Sequence, residues 1–262
     1  MKLCAVFILL SAGAALASIE KRIVGSLKCK KDRQYHVEIT AKQKETTCGG
    51  TLLNSLWVLT AAHCGQQELK VELGVNYDAS FFSKEFFLND KQDIKINQQF
   101  FFDKDAEGKL HDIMLIKLTK KASAKLPTLE LPAGECTRPE LKKTVQVGGL
   151  GPDKEGKKKG WFRKLITSSE LMCADTFMEE CGENDKPDNQ YNSDETNTMC
   201  AFKSGVMSCY GDSGSAVVYE GHLHGVIVSN PTDKCANPIV MMDICPYKEW
   251  IEKIMKDNEH SH

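Results

Sequence analysis

Apolar residues along this chain come in short bursts and not in long helical stripes. Alternating or continuous apolar runs at 35–39, 51–60, 69–75, 113–118, 145–147, 215–219 and 225–229 have the lengths of strands or of closely spaced strand pairs. Turn-forming Gly, Pro, Asn and Asp separate them, and many short strands with such turns predict an all-β barrel or sandwich. The period changes at the C-terminal end. Tyr247, Trp250, Ile251, Ile254 and Met255 fall at i, i+3, i+4, i+7 and i+8, one face of a helix over about 246–256. Two stretches break the strand pattern: 153–164 is rich in Lys, and 179–195 is rich in Asp, Glu and Asn. Segments this dense in charge read as solvated loops.

The N-terminus reads differently. Lys2 precedes an apolar stretch at 3–10, broken by Cys4, and Ala15-Leu16-Ala17 supplies the small-x-small pattern of a signal-peptidase site. That stretch is about half of the roughly 20 residues a spanning helix needs, so 1–17 reads as a secretory signal and not as an anchor. Next, Glu20-Lys21-Arg22 stands before Ile23-Val24-Gly25, a site for a trypsin-like cut. Residues 18–22 would then be an activation peptide and 23–262 the mature chain.

Composition narrows the class. With 34 Lys+Arg against 36 Asp+Glu, the net charge of −2 gives no basic face for nucleic acid. A chain of 262 residues, 41% hydrophobic and 27% charged, is long and apolar enough for a folded core. Eleven cysteines are many for a cytosolic enzyme; with Cys4 removed an even ten remain, as in a disulfide framework of a secreted protein.

Three segments carry candidate chemistry. Thr60-Ala61-Ala62-His63-Cys64 sets a histidine after a buried-type strand, and His111-Asp112-Ile113-Met114-Leu115-Ile116 sets an acid at the mouth of another. Gly211-Asp212-Ser213-Gly214-Ser215 holds a serine between glycines, where the backbone can turn sharply and leave N–H groups free. A serine hydroxyl is a poor nucleophile until a base takes its proton, and the base works best when a carboxylate holds its tautomer. Singly these motifs are weak; in the order His, Asp, Ser they reinforce one another.

From Ile23 to about Ile251 the chain resembles a chymotrypsin-fold serine protease zymogen of the trypsin-like family. The resemblance rests on Cys48-Gly49-Gly50-Thr51-Leu52, Trp57-Val58-Leu59-Thr60-Ala61-Ala62-His63-Cys64, Asp112-Ile113-Met114-Leu115-Ile116-Lys117-Leu118 and Gly211-Asp212-Ser213-Gly214. It implies two packed, antiparallel six-stranded β-barrels, the first over about 23–131 and the second over about 132–245, followed by the C-terminal helix. It makes His63 the general base and acid, Asp112 its orienting partner and Ser213 the nucleophile. The N–H groups of Gly211 and Ser213 would form the oxyanion hole. A cut after Arg22 would free the α-ammonium of Ile23 to pair with Asp212. Family-like disulfides would join Cys29–Cys173, Cys48–Cys64, Cys136–Cys245, Cys181–Cys200 and Cys209–Cys235, leaving none over.

Departures from the family pattern bear on specificity. Met207 stands where trypsin-like members carry the aspartate that attracts Lys or Arg. Counted without gaps, Val228-Ser229-Asn230 replaces Ser-Trp-Gly along the pocket wall, and Ile239 replaces a wall glycine. The specificity pocket thus reads as shallow, apolar or closed; a one-residue insertion would instead return Ser229 to the serine position. Only Glu85 falls at a ligand position of the trypsin calcium loop, too few oxygens for Ca²⁺, so no metal and no cofactor is expected. No Asn-x-Ser/Thr sequon occurs.

Two functions fit. One is a secreted, extracellular serine endopeptidase, activated at Arg22, with narrow, non-tryptic specificity for a small or apolar residue on the acyl side of the cut. The other is a weak or inactive binding protein on a protease scaffold with a filled pocket. Expected partners are a protein or peptide substrate, an activating trypsin-like protease and a protease inhibitor, with no nucleic acid or membrane, and the chain acting as a monomer.

Overall fold

The computed structural model describes residues 26–43, 46–77, 90–102, 108–150, 152–154, 166–167, 171–209, 212–228 and 235–259. The signal and activation segments, 1–17 and 18–22, lie outside these residues, as does most of the Lys-rich stretch at 153–164. Strands dominate. The first nine are β1 (Leu27–Lys28), β2 (His36–Ala41), β3 (Thr47–Leu52), β4 (Trp57–Thr60), β5 (Leu69–Leu73), β6 (Asp90–Ile94), β7 (Gln99–Phe101), β8 (Leu110–His111) and β9 (Met114–Lys117). They are followed by β10 (Thr144–Gly149), β11 (Pro152–Lys154), β12 (Ile166–Thr167), β13 (Met172–Glu179), β14 (Tyr191–Asn192) and β15 (Thr198–Phe202). The last are β16 (Ser208–Cys209), β17 (Ala216–Tyr219), β18 (His222–Ile227), β19 (Cys235–Ala236) and β20 (Ile239–Asp243), before helix α1 (Lys248–Asp257).

In the C-terminal half, β13-β10-β17-β18-β20-β15 pair in that order, and β15 returns to β13, closing a six-stranded antiparallel barrel. Its walls show why some runs looked continuously apolar. In β20, Ile239 and Met241 face the barrel interior beside Val145, Val217 and Ile227, while Val240 and Met242 face outward into the cluster that fills the N-terminal half. All five residues of β20 are buried, because the strand has a core on each face. The two halves therefore share a seam built from the outer wall of this barrel.

The N-terminal half departs from the expected six-stranded barrel. Its sheet runs β6-β5-β2-β3-β4-β9-β7, seven strands with no backbone ladder joining the first to the last among the described residues. The two edges are consecutive in the chain and joined through a 3-10 turn, Ile96–Gln98, instead of pairing as a hairpin. Glutamine side chains lace the gap instead. Gln92 exchanges two hydrogen bonds with the backbone of Lys120, at 3.0 and 3.1 Å. Gln99 Nε2 donates to the Gln67 carbonyl at 2.6 Å, while Gln98 Nε2, donating to the Lys117 carbonyl at 2.9 Å, prolongs the pairing of β7 with β9.

A second difference lies at the start. β1 precedes the N-terminal sheet in sequence but pairs with β13 of the C-terminal barrel, Leu27 opposite Cys173. Two anchors hold this segment there: the Cys29–Cys173 disulfide, and Arg33, only 3% exposed. The Arg33 guanidinium donates to the carbonyls of Ala216 and Gln146 and, at 3.2 Å, to Gln146 Oε1. A buried cation is tolerated because its fork is filled by acceptors. Disulfides also join Cys48–Cys64, Cys136–Cys245 and Cys181–Cys200. Cys209 and Cys235 are direct partners in the β16–β19 ladder. Helix α1 begins at Lys248; Tyr247 belongs to the preceding 3-10 turn, Cys245–Tyr247, where Pro246 suits a helix start.

Candidate active site

His63 sits in the middle of a 3-10 turn, Ala62–Cys64, directly after β4. The turn cannot swing away, since Cys64 is bridged to Cys48 in the neighbouring strand β3. Asp112 occupies the bend between β8 and β9 and is 1% exposed. It receives His63 twice over: the backbone N–H donates to Oδ1 at 2.9 Å, and ring Nδ1 lies 2.8 Å from Oδ2 and 3.1 Å from Oδ1. Nδ1 must carry the proton to donate to this carboxylate, which leaves Nε2 as the basic nitrogen.

Ser213, 3% exposed, comes from the loop ahead of β17. Its carbonyl accepts the Gly49 N–H at 2.7 Å, so its backbone is tied one residue from Cys48, whose sulfur is bonded beside His63. Gly214 follows with φ +84°, and a Cβ there would overlap the Gly49 carbonyl and Thr60 Oγ1. Glycine is required on both counts. The loop carrying Ser213 thus presses against β3 and β4, the strands that set up His63.

Asp212 is fully buried, and its carboxylate lies so close to Gly149 that any side chain at 149 would overlap Oδ1. Of the pocket residues, Met207 is half-buried, while Val228 and Ile239 are 1% and 0% exposed. Ile239 packs in the cluster that holds Val206, Ile227 and Met241. Arg22, Ile23, Gly211, Ser229 and Asn230 lie outside the described residues. Cys48, His63 and Cys64 bring one potential metal-ligand atom each within 4.8 Å, but both sulfurs are locked in their disulfide and only the imidazole could bind.

Other residues escaped the motif-based reading. His111, next to Asp112, shares a 2.6 Å hydrogen bond with the Tyr247 hydroxyl. Burial raises the Tyr247 phenol above its ordinary range, so it stays neutral. Leu110–His111 also pairs in parallel with Tyr191–Asn192, which brings the acidic 179–195 stretch onto the segment carrying Asp112. His111 adjoins a motif residue, but Tyr247 and Tyr191 carried no local signal beyond being apolar.

His36 is buried beside this seam. A Cβ on Gly49 would meet His36 Cε1 at 2.8 Å and overlap Ser215 Oγ. Burial first, and the nearby Arg33 cation second, push the imidazole from 6.5 down to about 3. The folded protein therefore keeps His36 neutral over a range where the unfolded chain takes up a proton. Stability should fall as pH drops from about 6.5 to about 3 and lose nothing further from this group below that. The His36→Gln variant is expected to flatten this acid limb in urea-unfolding midpoints measured between pH 7 and 3.5. His224, whose imidazole burial also pushes down, would keep part of the slope. An unchanged limb would exclude His36 as its source.

The geometry now meets the comparison with known proteins. The Trypsin family model matches residues 23–251, from the aliphatic dipeptide after Arg22 into α1. The chain belongs to the trypsin family. It is 32% identical to human Kallikrein-8 over 95% of its own length and 94% of that protein's. It is 31% identical to Trypsin-1 of Salmo salar, covering 95% and 97% of the two chains. Among solved structures it is similar to neuropsin, a serine protease expressed in the limbic system of mouse brain. That likeness has a TM-score of 0.63 and 27% identity, over 88% of this chain and 98% of the other. The chain is accordingly a serine endopeptidase with the chymotrypsin fold, acting on proteins or peptides.

Proposed function

We propose that this trypsin-family chain is a secreted zymogen. Once cut after Arg22, it hydrolyses peptide bonds through Ser213, His63 and Asp112, with a small or apolar residue on the acyl side of the cut. The observation that carries the reading is the buried Asp112 carboxylate holding His63 through both backbone and ring. In the proposed reaction His63 Nε2 takes the Ser213 hydroxyl proton as Oγ bonds to the scissile carbonyl carbon. The oxygen gains negative charge facing the N–H groups of Gly211 and Ser213. The imidazolium then protonates the leaving amine, and water repeats the sequence on the acyl-enzyme to restore Ser213. The pocket reading draws support from Met207, which brings no negative charge, and from the full burial of Ile239.

Activation follows from Asp212. In this reading the new Ile23 ammonium pairs with the fully buried Asp212 carboxylate, and that buried ion pair holds the Gly211–Ser213 loop in its working shape. Secretion is supported by the N-terminal signal pattern and the disulfide framework. No helix among the described residues is long and apolar enough to cross a membrane.

A fluorophosphonate probe tests both parts. Ser213 should be labelled rapidly after cleavage at Arg22 and at least about a hundredfold more slowly before it, with Asp212→Asn leaving the cut protein as slow as the uncut one. Equal labelling of uncut and cut chains, or full activity of cut Asp212→Asn, refutes the switch. Labelling without hydrolysis of any member of a diverse peptide library refutes the protease reading.

A further inference from the structure

One groove of the molecule lies apart from the proposed catalytic centre. It lies where the open side of the N-terminal sheet meets α1 and encloses about 1110 Å³. The strands β4 and β9 link the two places. Trp57 and Lys117 are paired at one end of this ladder and line the groove; Thr60 and Met114 are paired at the other, toward His63 and Asp112. The groove is thus about a strand length from the catalytic dyad and independent of it.

Its lining combines two chemistries. Five lysines, at 95, 117, 120, 121 and 256, face two carboxylates, Asp93 and Glu259, in a protein whose overall charge is −2. Asp93 is already engaged with Lys42 at 2.9 Å. Lys120 pairs with Asp90 at 2.8 Å, and Lys117 Nζ donates to the Asn258 carbonyl at 2.7 Å. Lys95, Lys121 and Lys256 are exposed and have no acidic partner among the described residues. Between the lysines, half-buried Leu56, Phe100 and Met255 give the groove an apolar floor.

We propose that this groove is a docking site for an acidic peptide segment of a partner protein, one that seats an apolar side chain on Leu56, Phe100 and Met255 while its carboxylates face Lys95, Lys121 and Lys256. Concentrated positive charge on a mildly acidic molecule selects an anionic ligand. The apolar floor favours a peptide over a polysaccharide, whose anionic groups would use only the lysines. The recessed shape favours a chain over the flat surface of a membrane.

The test uses the full mature chain and a fluorescein-labelled peptide of about ten residues, some 33 Å when extended, rich in Glu with a central Leu-Phe. Binding should be readable by anisotropy at roughly 0.05 M salt and should weaken toward 0.3 M. The triple variant Lys95→Glu, Lys121→Glu, Lys256→Glu should bind at least about tenfold more weakly with an unchanged melting temperature. Met255→Ala should weaken the Leu-Phe peptide but not an all-Glu peptide of equal length. Undiminished binding by the triple variant would move the site elsewhere, the Lys-rich stretch at 153–164 included. Equal affinity for the all-Glu peptide removes the role of the apolar floor. Preferential binding of a heparin fragment or of vesicles rich in anionic lipid, with the same lysine dependence, overturns the assignment to a peptide, as does absence of binding.

Discussion

Replacing Asp112 by Asn is expected to lower kcat/KM about 10⁴-fold while leaving the fold intact. The carboxylate accepts from both the backbone and the ring of His63. Asparagine keeps the size of the group but presents an N–H₂ on one side. Where that amide faces Nδ1, the imidazole must place its proton on Nε2, the nitrogen that has to accept from Ser213. The loss should appear in kcat with little change in KM, because in the proposed mechanism Asp112 acts through the histidine and not on the substrate. Active-site titration with a fluorophosphonate and near-UV circular dichroism would separate this from unfolding. A loss below tenfold would show that His63 does not depend on Asp112 for its tautomer.

The segments proposed for catalysis stand out in the sequence because local signals mark them. His63 follows a strand ending Thr60-Ala61-Ala62, Asp112 opens a strand, and Ser213 lies between glycines. Gly214 has a local structural reason, its positive φ, whereas Gly149, far away in sequence, makes room for the Asp212 carboxylate. The second reason depends on a contact between remote segments, and no pattern along the chain announces it. The same holds for Arg33, which reads as one more charge in 28–34 yet is buried against two carbonyls of the other half.

Strand content was legible from alternation, and closure was not. Whether a sheet becomes a ring depends on tilt and stagger accumulated over many strands, quantities set by packing and not by any one residue. Gln92 and Gln99 are ordinary polar positions in the sequence, although both are buried and tie the open edges of the sheet across the gap. Tyr247 shows the opposite error. Its spacing fits the apolar face of α1, but it sits in the turn before that helix and spends its hydroxyl on His111.

Specificity gives the second large effect. Peptides with Ala or Val on the acyl side of the cut should turn over with kcat/KM at least about a hundredfold above those with Lys or Arg. In this reading a long cationic side chain would leave water beside Met207, which supplies no negative charge to receive it, and a stranded charge costs several kcal/mol. Every 1.4 kcal/mol is a factor of ten. Ile239→Ala should relax the preference toward larger apolar residues and lower stability by about 2–5 kcal/mol, because the removed atoms are fully buried. Library profiling by mass spectrometry checks the preference. Dominant cutting after Lys or Arg would mean that the segment around Met207 adopts another course on substrate binding.

The seam has a consequence for how such an enzyme can diverge. Gly49 N–H grips the Ser213 carbonyl across it, and Arg33 grips the carbonyls of Gln146 and Ala216. On the receiving side each of these clasps is made of main chain, which every amino acid supplies alike. Ser213 is held to its identity by the proposed chemistry, but drift at Gln146 or Ala216 leaves their carbonyls in place and the joint intact, so long as Arg33 and Gly49 remain.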